Sequence, residues 1–148
     1  KDEELHRIMS TGKLVPVETT NKLMGHAIEK ASDIKHLILD GYPREMTQAK
    51  WLVDNKSHHG RDIALVIVLE VPKSELLKRL SLRGRVDDVP EAIEERLNIY
   101  RKEMYPILSY FTDQNINIAH IDGVGTIGQV HDRIVEELEA YGLKAEAN

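Results

Sequence analysis

Ile34 to Gln48 of this chain reads IKHLILDGYPREMTQ. Leu37, Ile38 and Leu39 form a short apolar run without polar alternation, the pattern of a strand buried on both faces of a parallel sheet. The run ends on Asp40, where the carboxyl edge of such a strand would lie, and open α/β sheets bind their ligands at that edge. Gly41, Pro43 and Arg44 then turn the chain out of the sheet. Apolar residues ending in Asp also match strands that orient magnesium and its waters in phosphoryl transfer, although many such strands simply lead into a turn or helix cap.

Two further runs read as strands. Ala64 to Val71 (ALVIVLEV) is β-branched and nearly uninterrupted, which suits a second buried parallel strand, and Pro72 stops it. Asn117 to Asp122 (NIAHID) makes a third, followed by a turn at 123–125 and by Thr126 as the cap of a last helix through Tyr141. Between the strands lie helical patterns. Asp2 to Ser10 is a short amphipathic helix; Pro16 opens another to about Ala31, with Val17, Leu23, Ala27 and Ile28 as its buried stripe. Thr47 to Val53 is a brief helix, and Asn55 to Gly60 an exposed loop in which His58 and His59 read as a solvated pair, since no further ligands converge there. A helix begins at Lys73 or Ser74 and runs to about Arg83. Pro90 opens a longer one to about Phe111, with Ile93, Leu97, Tyr100, Met104, Ile107 and Leu108 on one stripe. Strands alternating with helices of this length imply crossover units and a layered α/β sheet.

The 148 residues have the size of a single domain spanning 1–148. Hydrophobic residues make up 41%, charged residues 30% and aromatics 5%, the composition of a soluble globular chain with an aliphatic core. No run is long enough to cross a bilayer and no signal-peptide pattern opens the chain, so the expected compartment is cytoplasmic, with no membrane partner. The absence of cysteine rules out disulfides and thiolate metal sites. A net charge of −5 argues against a sequence-independent hold on nucleic acid. Lys1 stands where the sequence already reads as helix, which suggests a truncated chain.

The densest chemical constellation is Arg79, Arg83, Arg85, Asp87, Asp88 and Arg96. Arg79 and Arg83 are four apart on one helix face, Arg85 lies in the turn that follows, and Arg96 is two turns into the next helix. Asp87 and Asp88 balance part of that charge, and the remainder suits an anionic ligand. Guanidinium forks match phosphate oxygens bidentately, at roughly 1.5 to 3 kcal/mol for each charge-assisted bond when desolvated. Taken singly, each arginine is better explained by a solvated ion-pair network.

Four segments, in order and at matching spacing, resemble the adenylate kinase family across essentially the whole chain. DGYPREMTQ (Asp40 to Gln48) resembles its monophosphate-binding motif, and GKLVP (Gly12 to Pro16) the segment before it. RLSLRGRVDDVPEAIEERLNIY (Arg79 to Tyr100) is similar to a very short lid with its flanks, and HIDGVGTIGQV (His120 to Val130) to the last strand and turn. The resemblance implies a three-layer parallel α/β sheet of the P-loop nucleoside monophosphate kinase type. Residues 1–31 would be AMP-binding helices and 83–90 a minimal lid. Lys13, Leu14 and Val15 would present backbone to the AMP base. Gly41, Tyr42, Pro43, Arg44 and Gln48 would hold AMP, with Arg44 on its phosphate and Gln48 on adenine. Arg79 and Arg83 would meet ATP, Arg85 and Arg96 would close over the phosphates, and the backbone at Gly125 would lie near the ATP base. Arg44, Arg79, Arg83, Arg85 and Arg96 would thus form the catalytic set, and Asp40 would order the waters of Mg2+. The implied reaction converts ATP and AMP into two ADP by positioning and charge neutralisation, in an expected monomer without zinc.

The sequence also departs from the family. No G-x-x-x-x-G-K-[ST] loop occurs in it, so the first, P-loop strand and the second strand of the family's sheet are expected to be missing from this chain, and with them turnover. Their absence would leave apolar side chains and backbone edges uncovered, so the isolated chain is expected to be unstable. Alternatives are a UMP/CMP kinase, which shares GKLVPVE, and a non-catalytic nucleotide-binding fragment. Gln48 favours AMP, because related pyrimidine kinases tend to carry Asn at that place.

Overall fold

A computed structural model describes residues 16–83 and 90–143, apart from the side chains of Arg83, Ala92 and Arg96. The expected helix at 2–10, the Lys13 to Val15 segment and most of the short lid, Arg85 included, lie outside the described residues. The chain forms two compact units, Lys1–Asp62 and Ile63–Asn148.

In the first unit, helix α1 spans Val17–Lys30 and helix α2 spans Met46–Asn55. Pro16 precedes α1, where its fixed φ suits a helix start, and its carbonyl accepts from the amides of Thr19 and Thr20. The buried face of α1 is Asn21, Gly25 and Ile28, at positions i, i+4 and i+7. This corrects the stripe expected from hydropathy: Ile28 is buried, but Leu23 and Ala27 are exposed. The small residue Gly25 explains the shift, because the six-membered ring of Trp51 on α2 packs there, with ring carbons 3.5 Å from where a Cβ would stand. From α2, Gln48, Ala49 and Leu52 face inward.

Arg61 closes the far end of α1. Its guanidinium donates to the carbonyls of Ala31, of Ile34 at 2.6 Å and of Lys35 at 3.4 Å. A cation on the last, unpaired carbonyls of a helix also meets the negative end of its dipole.

The run Leu37 to Leu39 is not a strand in this structure. It belongs to no ladder, Leu37 is 36% and Ile38 83% exposed, and the expected burial on both faces does not occur. A strand needs a partner backbone as well as apolar side chains, and among the described residues none pairs with this run.

The second unit holds the sheet, which among the described residues has two strands, β1 (Val66–Glu70) and β2 (Ile118–Asp122). They pair in parallel from Val66 against Ile118 to Glu70 against Asp122. Helices α3 (Lys73–Arg83) and α4 (Pro90–Asp113) form the crossover between them, and α5 (Ile127–Ala140) follows. Ala119 and Ile121 of β2 point inward with Ile93, Ile107, Phe111 and Ile116, and these make the core of the unit. β1 carries no fully buried residue, and Leu69 is 47% exposed. The expected two-sided burial fails there because one face of β1 opens on an apolar groove of about 620 Å³ lined by Leu76, Leu80, Leu97, Met104 and Leu108, and among the described residues β1 pairs with β2 alone. Tyr100, expected on the buried stripe of α4, stands at the rim of that groove and is half exposed.

Thr126 caps α5 as the sequence predicts. Its hydroxyl accepts from the amide of Gln129 at 3.2 Å, and the Gln129 side chain accepts from the amide of Thr126 at 2.9 Å, a reciprocal capping box. Thr126→Ala is expected to lower stability by about 0.5 to 2 kcal/mol, and Thr126→Ser to retain it, as read from denaturant midpoints of the full-length protein. Among the described residues no helix is long and apolar enough to cross a membrane.

Candidate functional site

The turn after the extended run is tightly specified. Gly41 has φ +72°, a conformation that costs glycine little, and the Tyr42–Pro43 peptide is cis. Arg44 closes the turn twice: its Nε donates to the Gly41 carbonyl at 2.7 Å, and its backbone amide donates to Oε1 of Gln48, also at 2.7 Å. Gln48 sits one turn into α2 and is buried, so a rigid helix sets the backbone of Arg44. Arg44 is itself exposed, which leaves the outer edge of its guanidinium at the surface. A Cβ on Gly41 would come within 2.8 Å of Arg44 Nη2. Gly41→Ala is therefore expected to strain the turn and push the guanidinium aside, weakening any anion that Arg44 holds, as ligand titration of the full-length protein would read.

Tyr42 points inward from the same turn. Its hydroxyl donates to Oδ1 of Asn21 on α1 at 2.7 Å, and the Gln48 carbonyl lies 3.4 Å from it. Burial pushes the phenol up to about 12 from its ordinary value of 10.0. The folded value is the higher one, so this stabilisation is complete below pH 10.0 and is lost as pH climbs towards 12. Tyrosinate absorbance during an alkaline titration should show a late phase from Tyr42, which Tyr42→Phe should remove.

In the second unit, polar contacts converge on the loop 122–125. Arg79 donates from Nε to Glu75 at 2.8 Å and from Nη2 to the Gly123 carbonyl at 3.0 Å. Arg133 on α5 donates from Nη1 to the carbonyls of Asp122 at 2.7 Å and Val124 at 2.6 Å. The Asp122 side chain accepts from the Val124 amide at 2.9 Å. Gly123 is required here, since a Cβ would stand 2.6 Å from Val71 Cγ2 and 3.3 Å from the Glu70 carbonyl. Gly125 follows with φ +123°, against the side chain of Gln129. Two arginines thus hold successive carbonyls of one short loop at the carboxyl ends of β1 and β2, the edge where α/β sheets bind ligands.

The residues proposed from sequence therefore fall into two groups. Gly41, Tyr42, Pro43, Arg44 and Gln48 come together in the first unit; Arg79 and Gly125 share a loop corner in the second. Arg83 ends α3, and Arg96 lies on α4. Asp40 is exposed just before the turn. Among the described residues, no three His, Cys, Asp or Glu side chains are placed to ligate a metal, and His59 instead lies beside Trp51, ring centroids 6.2 Å apart. Sequence reasoning missed Asn21 and Arg133. Asn21 was legible only as the residue four before Gly25 on one helix face, and Arg133 carried no local signal because its hydrogen bonds are to backbone carbonyls, with the Asp122 carboxylate 3.8 Å away.

Comparison with known proteins matches these features to one family. The family profile described as Adenylate kinase covers residues 1–116. An adenylate kinase of Mycolicibacterium paratuberculosis is 40% identical over 130 residues, which are 88% of this chain and 70% of that protein. Those of Mycobacterium tuberculosis and Mycobacterium leprae are 38% and 36% identical over 135 residues, 91% of this chain and 73% of each relative. With the DGYPR turn, the buried Gln48 and the loop at 122–125 in place, the chain belongs to the adenylate kinase family.

Proposed function

We propose that the full-length protein transfers a phosphoryl group reversibly from ATP to AMP, giving two ADP, as a cytoplasmic monomer. The observation that carries this reading is the state of Arg44. Its Nε and backbone amide are committed within the turn, so its outer N–H pair is held ready at the surface for the two oxygens of a monophosphate. Holding that fork in place before the ligand arrives reduces the ordering cost of binding. Gln48, buried beside it, offers a side-chain amide to the adenine. Lys13, Leu14 and Val15 would supply backbone contacts to the base.

On the ATP side, Arg79 and the loop at 123–125 support a place for the donor nucleotide. Arg83, Arg85 and Arg96 would neutralise the charge that builds on the transferred group, the effect that dominates phosphoryl transfer. Asp40, a single exposed carboxylate, fits a metal that arrives with ATP and keeps its waters better than a resident ion held by several protein ligands. The Mg2+ would screen the phosphate oxygens; the chain's own part is to orient both nucleotides and exclude water from them.

The test is product analysis. With ATP and Mg2+, the full-length protein is expected to form two ADP for each AMP consumed, and to use UMP and CMP poorly. Preference for UMP or CMP would move the assignment to the pyrimidine branch. No phosphorylation of any monophosphate would refute it.

A further inference from the structure

We propose that Asn21 is a positioning residue for the monophosphate nucleotide, acting through the Tyr42 hydroxyl to lock the 41–44 turn onto α1. This inference rests on the assignment of that turn to AMP. The Asn21 side-chain oxygen accepts from Tyr42 across 21 positions of sequence at 2.7 Å. Both residues are nine-tenths buried or close to it, where an orphaned amide or hydroxyl would be costly, so the pair holds one geometry. Tyr42 lies between Gly41, whose carbonyl holds Arg44 Nε, and the backbone of Gln48, whose side chain holds the Arg44 amide.

The turn is therefore clamped from two sides. Gln48 fixes it to α2, and Asn21 fixes it to α1. If the Asn21 contact is lost, the turn keeps its α2 anchor, so the fold survives while the orientation of the guanidinium relaxes. The loss should fall on AMP and spare ATP. The Asn21 contact joins α1 to the turn through a side chain on each partner.

Tyr42→Phe removes only a hydroxyl, and Asn21→Ala removes the acceptor. In the full-length protein each is expected to raise the KM for AMP roughly three- to tenfold. For Asn21→Ala the KM for ATP and kcat at saturating AMP should stay within about twofold, and the double variant should be no worse than the worse single one. A second readout needs no turnover. Calorimetric titration of AMP into the full-length protein reports binding directly.

The dissociation constant for AMP should rise in parallel with KM in both variants. Unchanged AMP affinity with a lowered melting temperature would make the contact merely structural and overturn the proposal, as would fully additive effects in the double variant. Should Asn21→Ala not fold, Asn21→Leu, of similar volume but without the acceptor for the Tyr42 hydroxyl, takes its place. If the unaltered protein itself neither binds nor phosphorylates AMP, the assignment of the turn fails, and with it this inference.

Discussion

Replacing Arg44 by alanine is expected to raise the KM for AMP roughly 10- to 150-fold, the value of one charge-assisted contact of about 1.5 to 3 kcal/mol. The KM for ATP should stay close to its starting value. The asymmetry follows from geometry. Arg44 belongs to a turn whose other members, Gly41, Tyr42 and Gln48, all lie in the first unit, whereas the loop assigned to ATP is built from β2, α3 and α5 of the second. Arg44→Lys should recover little of the loss. An ammonium carries the charge but cannot donate to the Gly41 carbonyl and to two phosphate oxygens as a planar fork does. Initial rates at varied AMP and at varied ATP separate the two constants, and an equal rise in both would place Arg44 elsewhere in the reaction.

The 148 residues expressed on their own are expected to show no single cooperative thermal transition and to bind hydrophobic dyes strongly. The sheet described has two five-residue strands, and a two-stranded sheet is marginal in water. Parallel sheets are normally covered on both faces, yet β1 borders an open groove of about 620 Å³ with leucines on its walls. Ile38 at 83% exposure adds apolar surface in the first unit. Against this stands a modest core, in which, among the described residues, Ile107 is the one larger side chain that is entirely enclosed. Calorimetry of the isolated chain is the check. A sharp two-state transition from a soluble monomer would contradict the expectation.

Much of the chain was legible from local pattern. Pro16 and Pro90 at helix starts, Thr126 with Gln129 at a helix cap, and the two β-branched runs that became β1 and β2 all encode their structure within a few residues. Motif spacing carried the family. The failures share a physical origin in partners distant along the chain. Leu37 to Leu39 has the composition of a buried strand, but pairing requires a second backbone that the described residues do not supply. On α1, hydropathy selects Leu23 and Ala27, whereas the face actually buried is chosen by Gly25, whose lack of a side chain admits Trp51. The grip of Arg79 and Arg133 on the carbonyls of the 122–125 loop was equally out of reach of sequence. Backbone carbonyls leave no trace in composition, so such grips appear only once the fold is known.

The most direct trial of the kinase reading is a crystal structure of the full-length protein with AMP and a non-hydrolysable ATP analogue bound. The reading predicts the Arg44 guanidinium within hydrogen-bond distance of the AMP phosphate, Gln48 on the adenine, and Arg83, Arg85 and Arg96 around the ATP phosphates. AMP bound away from the 41–48 turn, or those arginines facing separate regions of solvent, would contradict it.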